Sequence, residues 1–292
     1  MELSDNQIIV PALASLSYDP IHGGWSVIGL VVDDDASAQI PQAGVTDPFP
    51  TNSQDTADAF WQDMQFFEPD PSVVCELTQP VGYIFHEDPL VVYFPDFLAP
   101  NMIAHILDST HEQYEPSYVY SERGTEQDDS FRSSQSAFPP RDEVLKCLEQ
   151  HAQAAQSWEE NMKLEAISVQ QYLEGGFFQL HHDTLIDEQP GAPSRASTFN
   201  VYLKSDCTGG GTHFPKLPRP QDESWCQFID CDSAEDGVVF KPIAGNAVFW
   251  SNTRLDGSLY EETLHQSLPV LSGVKVGLNI WTWVFPDDEK KT

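Results

Sequence analysis

Basic residues are missing from the first 122 positions: all 14 Lys and Arg of the 292-residue chain lie at or after Arg123, against 46 Asp and Glu overall. The net charge of −32 divides into −20 before Arg123 and −12 from there on. A body this negative repels a phosphate backbone and an anionic bilayer at long range, which excludes nucleic acid and membrane surfaces as partners. Long apolar runs are also missing. The stretch Trp25 to Val32, even with Ser26 counted in, falls far short of the roughly 20 residues that span a bilayer, and no basic n-region precedes it as in a secretory signal. No Asn-x-Ser/Thr sequon occurs. Cysteine is scarce. Five of them, an odd number without dense spacing, read as reduced thiols; Cys226 and Cys231 could bridge or bind metal, but lack the second pair of a zinc site. These absences predict a soluble, cytoplasmic protein.

What is present suffices for a sizeable core: 40% of residues are apolar, 11% aromatic and 21% charged. Residues 1–80 read as an acidic N-terminal extension docked on the remainder, because two short apolar stretches (Ile8 to Leu16, Trp25 to Val32) precede a Pro- and Asp-rich tract from Asp33 to Asp58. Around Phe60-Trp61 and Phe66-Phe67 the apolar spacing predicts a short amphipathic helix. From 81 to 286 the pattern is α+β. Pro100 and the Pro139-Pro140 pair each precede a helix, the second running to about Trp158, with a polar, loop-like stretch from Tyr114 to Phe138 between them. Strand-like segments follow at Leu164 to Leu173, Phe177 to His182, Thr198 to Leu203, Val238 to Phe240, Ala247 to Trp250 and Val274 to Phe285, with a tail at 287–292. Short strands late in the chain with helices before them predict a jelly roll with flanking helices. No fixed-period repeat is present.

One of these strands ends His181-His182-Asp183. Residues at i and i+2 of an extended chain point to one face, so His181 and Asp183 can grip one object while His182 points away. An imidazole and a carboxylate aimed at one point make a metal half-site, a weak signal alone. A further His265 follows 82 residues after Asp183, and Lys275 comes ten later inside the apolar run Val274 to Trp283. A charge there is costly unless an anion meets it. Two His and one carboxylate leave open positions on an octahedral Fe(II), and a dicarboxylate 2-oxo acid can chelate that metal at one end and meet a buried cation at the other.

From about Pro89 to Trp283, two thirds of the chain, the residues resemble the prolyl 4-hydroxylase branch of the Fe(II)- and 2-oxoglutarate-dependent dioxygenases. The matching pieces run in order: Val91 to Leu107, Arg132-Ser133-Ser134, Gln171-Tyr172 through Asp183, Arg195 with Thr198 to Leu203, Gly209-Gly210-Gly211-Thr212-His213-Phe214-Pro215, Lys241-Pro242 with Gly245 to Trp250, and His265 to Lys275. The resemblance implies a double-stranded β-helix, with His181, Asp183 and His265 holding Fe(II). It implies Lys275 and Tyr172 on the distal carboxylate of 2-oxoglutarate, and Thr212 lining that pocket. Gly211 stands where the family usually carries an acidic residue. His182, His213, Trp250, Trp281 and Trp283 read as structural.

The implied reaction uses O2 to decarboxylate 2-oxoglutarate to succinate and CO2 while a C–H is hydroxylated, with ascorbate as reductant. Desaturation or ring closure by the same site stays open. The substrate reading favours a small-molecule or peptidic natural product or amino-acid derivative, with a prolyl residue of a protein as the alternative. A zinc-dependent hydrolase on the same three ligands leaves Lys275 without a task, and a non-catalytic binding protein leaves the whole set without one. The sequence carries no signal for oligomeric state.

Overall fold

Two strands of unusual length, Ser194–Gly209 and Val270–Val284, run antiparallel against each other from Ser194 opposite Val284 to Gly209 opposite Val270. In this computed structural model the described residues are 64–75, 80–121, 124–184, 193–254 and 256–285, with the short strands Ile9–Val10, Leu16–Asp19 and Gly24–Val27. The long pair is the middle of a sheet whose order is Ile9–Val10, Gly82–His86, Val91–Phe94, Ala247–Ser251, Ser194–Gly209, Val270–Val284, Ser168–Tyr172, Gln135–Ala137, Glu115–Pro116. A second sheet has the order Arg132–Ser133, Phe177–His181, His265–Ser267, Thr212–Phe214, Val238–Phe240. The two face each other as a double-stranded β-helix, the jelly roll expected from the sequence.

Alternation along the strands sorts the side chains. Phe199, Val201, Leu203, Val276, Leu278 and Ile280 point outward into a core completed by the helices Pro100–Thr110 and Glu143–Ala154, through Met102, Ile106, Leu145, Leu148 and Ala152. The first helix begins at a proline, which needs no amide partner in the first turn. The second is capped by Asp142, whose carboxylate accepts from the amides of Val144 (3.0 Å) and Leu145 (3.2 Å). Between the sheets, Tyr93, Tyr202, Phe214, Trp225, Phe240 and Trp250 form a second, aromatic core.

Three expectations are corrected. Phe66–Phe67 is a strand that pairs with Met162–Glu165, the edge there offering free backbone groups that outweigh a marginal helical pattern; Phe60 and Trp61, the other part of that predicted helix, lie outside the described residues. The polar stretch Tyr114 to Phe138 contains five short strands, Glu115–Pro116, Val119–Ser121, Gly124–Glu126, Arg132–Ser133 and Gln135–Ala137. They are too short for alternation to betray them. Four cysteines are paired rather than reduced, as Cys75–Cys147 and Cys226–Cys231, leaving Cys207 free. The partners of the first pair are 72 residues apart, beyond any spacing signal.

The predicted extension 1–80 falls largely outside the described residues, but residues 64–75 lie against the body. Phe66 meets Trp283 edge-on with centroids 5.4 Å apart, the Arg141 guanidinium sits 4.4 Å over the Phe67 ring, and Lys146 pairs with Asp70 at 3.1 Å. No helix among the described residues is long and apolar enough to cross a membrane. Loop-closure entropy predicts that Cys147→Ser costs about 4 kcal/mol and Cys226→Ser about 2, because the closed loops span 72 and 5 residues. Denaturant unfolding of the two variants checks the ranking; equal losses would contradict it.

Candidate active site

His181 ends the strand Phe177–His181 and His265 begins the strand His265–Ser267, its register partner in the second sheet. Asp183 follows two residues beyond His181. One ligating atom from each of the three lies within 4.8 Å of the others. Asp183 Oδ1 is 3.7 Å from His181 Nε2 and 3.9 Å from His265 Nε2.

The backbone fixes the tautomer of both rings. His181 Nδ1 is 2.7 Å from the Gln179 carbonyl and His265 Nδ1 is 2.9 Å from the Thr263 carbonyl. A carbonyl can only accept, so each Nδ1 carries the proton and each Nε2 presents a lone pair inward. Burial, followed by the neighbouring His265 charge, lowers the His181 pKa to about 3, so its imidazole is neutral at ordinary pH. Phe178 stacks on His181 at 3.7 Å between centroids, and Phe214 and Trp250 flank His265 at 5.3 and 4.8 Å.

Asp183 is 6% exposed. Burial alone would raise its pKa, but His265, His181, Arg195 and the Thr198 hydroxyl together hold it below the ordinary carboxylate value. Thr198 Oγ1 donates to Asp183 Oδ2 at 2.7 Å and accepts from Asn252 Nδ2 at 2.9 Å, which leaves Oδ1 facing the two imidazoles. Arg195 donates to the Asp183 carbonyl at 3.1 Å while its other nitrogens form a bidentate pair with Glu165 at 2.8 Å each. Glu165 also accepts from Trp283 Nε1. Two imidazole nitrogens and one carboxylate oxygen on a shared face fit a divalent cation, and the set matches a facial triad.

The cleft beside the triad is lined by Tyr172, Thr212, Lys275 and Ser267 among others. Tyr172 and Lys275 are register partners on adjacent strands. Lys275 is 4% exposed, and its Nζ donates to the Gly210 carbonyl at 2.8 Å and to Ser267 Oγ, 4.4 Å from the centre of the Tyr172 ring. No carboxylate among the described residues pairs with it. Burial pulls its pKa down to about 7. The Tyr172 hydroxyl, raised by burial, lies near Arg132, Ser134 and Ser267. Thr212 accepts from the Tyr202 hydroxyl at 2.8 Å. A β-carbon on Gly211 would come within 2.5 Å of Val239 Cγ1, so this backbone cannot take the acidic residue the family carries there.

All six residues singled out in the sequence thus lie at or beside one cleft. The excluded histidines serve the frame. His213, 3% exposed, is tied to the Asp236 carbonyl and to Gln266, and His182 is hydrogen-bonded to the Glu261 backbone. Trp250 is both core and cleft wall. The support beneath Asp183 was missed: Arg195 and Thr198 stood inside a matching piece of sequence without an assigned role, and Asn252 carried no signal.

Removing the hydroxyl that holds Asp183 Oδ2 is expected to free the carboxylate to rotate. Thr198→Val should weaken Mn(II) or Co(II) binding about 10- to 100-fold, the scale for residues behind metal ligands, with Thr198→Ser near the parent. Metal titration by calorimetry checks this; equal affinity in Val and Ser variants would refute it.

Comparison with known proteins agrees with this geometry. Residues 167–283 match the 2OG-Fe(II) oxygenase superfamily. The probable prolyl 4-hydroxylase 6 of Arabidopsis thaliana is 27% identical over 213 residues, covering 70% of this chain and 72% of that protein. The prolyl 4-hydroxylase subunit alpha-2 of Caenorhabditis elegans is 26% identical over 211 residues, covering 68% and 35%. Among solved structures, the viral collagen prolyl hydroxylase of Paramecium Bursaria Chlorella virus-1, in complex with 2OG, has the same fold, with a TM-score of 0.50 at 22% identity over 66% of this chain and 96% of that one. Residues 167–283 therefore carry the pattern of the 2OG-Fe(II) oxygenase superfamily, and the chain is similar to prolyl 4-hydroxylases over about two thirds of its length.

Proposed function

We propose that the protein hydroxylates a prolyl residue of a peptide or protein, with Fe(II) held by His181, Asp183 and His265. Lys275 holds the distal carboxylate of 2-oxoglutarate, with Tyr172 and Thr212 beside it. The observation that carries the chemistry is the pairing of an inward-facing His/Asp/His set with a buried lysine that has no protein carboxylate. A zinc hydrolase would use the first and leave the second idle. For the substrate, the curated relatives named prolyl 4-hydroxylases, which align over about two thirds of the chain, favour the prolyl reading over a small natural product.

Bound iron, with 2-oxoglutarate and O2, supplies the oxidation: one oxygen atom goes to the new hydroxyl and the other to succinate as CO2 leaves. The protein's part is orientation. Lys275 supplies the positive charge for the far carboxylate, while Phe178, Phe214 and Trp250 keep water from the imidazoles. The two disulfides favour an oxidising compartment over the reducing cytoplasm expected from the sequence.

The test is substrate-stimulated succinate release with Fe(II), ascorbate and 2-oxoglutarate, against proline-containing peptides and a panel of free amino acids and metabolites. Peptide stimulation with mass-detected hydroxyproline, lost in Asp183→Ala, is the expected result; stimulation by metabolites alone would overturn the prolyl assignment. Lys275→Met should leave metal affinity intact and weaken 2-oxoglutarate by about 2–4 kcal/mol, roughly thirty- to a thousand-fold.

The same lysine sets a pH dependence. With its pKa pulled to about 7 when nothing anionic faces it, Lys275 takes up a proton as the carboxylate binds. Affinity for 2-oxoglutarate is then highest below pH 7 and falls by up to about tenfold per pH unit above it. Calorimetry in buffers of different ionisation enthalpy reads the proton directly; no uptake at pH 8 would contradict the assignment.

A further inference from the structure

The strand Val270–Val284 carries Lys275, Gly277 and Asn279 at i, i+2 and i+4, so all three share one face, and all three line the cleft. Gly277 lies opposite Gln170 on one neighbouring strand and Tyr202 on the other, and Asn279 lies opposite Asn200. The backbone does not require glycine at 277. Its φ is not left-handed, and a β-carbon there would meet only Asn200 Nδ2 and Val201 O, both at an ordinary 3.7 Å. What the missing side chain provides is an open strip along the sheet between Lys275 and Asn279.

A directional chain of hydrogen bonds ends at Asn279. The Tyr202 hydroxyl donates to Thr212 Oγ1 at 2.8 Å, Thr212 donates to Asn200 Oδ1 at 3.2 Å, and Asn200 Nδ2 donates to Asn279 Oδ1 at 2.8 Å. Each link faces the same way because the buried tyrosine, its pKa raised by desolvation, stays a donor at the head of the chain. The Asn279 oxygen is therefore engaged, and its amide group presents two N–H donors for which no described residue supplies an acceptor. An unpaired donor facing a cleft is a binding group in waiting.

We propose that the Asn279 amide is a second anchor for the 2-oxo acid, donating to the carboxylate at its metal end while Lys275 holds the other, with Gly277 kept bare so that the ligand's carbon chain can lie on the sheet between them. This rests on the 2-oxoglutarate reading given above. It adds cosubstrate specificity to three residues, Asn279, Asn200 and Gly277, whose identities nothing else in the site explains. A five-carbon diacid, about 5 Å between its end carbons, with a hydrogen bond of about 3 Å at each end, suits anchors on one strand separated by a single bare position.

The test is calorimetric titration of Mn(II)-loaded protein with 2-oxoglutarate and separately with oxalate, a two-carbon dianion that occupies only the metal end. Asn279→Leu keeps the volume and removes the donors; it should lose about tenfold or more in affinity for both ligands. Lys275→Met should lose 2-oxoglutarate and keep oxalate. Gly277→Ala should weaken 2-oxoglutarate about tenfold with unchanged Mn(II) affinity and melting temperature, and Asn279→Gln, which keeps the donors, should fall between Leu and the parent. If Asn279→Leu is poorly folded, the Gly277→Ala and Asn279→Gln titrations decide. Parent-like affinity for both ligands in the Asn279 and Gly277 variants would overturn the proposal, as would loss of 2-oxoglutarate without oxalate in Asn279→Leu. A parent that binds no 2-oxoglutarate at all would instead remove the cosubstrate reading on which the proposal stands.

Discussion

Continuous antiparallel pairing of Ser194–Gly209 with Val270–Val284 is the constraint on which the site depends. Because side chains alternate, one register fixes two chemistries at once. Phe199, Val201, Leu278 and Ile280 are driven outward into the helices, and Thr198, Asn200, Tyr202, Lys275 and Asn279 are turned inward. A slip of one residue would bury the polar set in the helical core and expose the apolar set to the cleft, so the hydrophobic drive on one face is also what aims the polar groups on the other. Where the register shifts, between Tyr202 and Lys204, the strand adjusts its side-chain direction just before the lysine row.

Buried polarity is costly, and here it is organised by backbone as much as by side chains. Carbonyls of Gln179 and Thr263 choose the imidazole tautomers, and the Gly210 carbonyl receives Lys275. Such partners survive substitution, because any residue at those positions supplies the same carbonyl. Side-chain partners are spent on the carboxylate, through Thr198 with Asn252 and through Arg195 with Glu165. Arg195 also lies 3.9 Å over the Trp281 ring, so one guanidinium ties the metal-side loop, a strand edge and an aromatic wall together.

The strands that pair over five or more residues were legible from β-branched and aromatic runs, and His181 with Asp183 from the two-residue period of a strand. His265 and Lys275 had meaning only together, through a cation placed where no cation belongs. The five short strands between Glu115 and Ala137 were hidden because two or three residues cannot display a period, and Phe66–Phe67 because an edge partner nearly a hundred residues away decided its conformation. The disulfides were hidden for the same reason of distance in one case, and in the other because two cysteines five apart look alike whether bridged or not. The support that Asn252 gives to Thr198 emerges only from the hydrogen bonds of the folded chain.

The isolation of Lys275 has a kinetic side. On the proposed function, a dianionic ligand approaches a protein of net charge −32, and the lysine assigned to it is 4% exposed. At distances beyond a Debye length, about 10 Å at 0.1 M salt, the ligand feels mainly the repulsive envelope, and the lysine becomes visible only once it is inside the cleft. Association is thus slowed by the surface and dissociation by the interior, and added salt lowers the outer barrier while leaving the inner attraction nearly untouched. A cleft so used would be a slow, retentive trap whose filling is quickened by ionic strength, the reverse of what a positively charged funnel for the same anion would do.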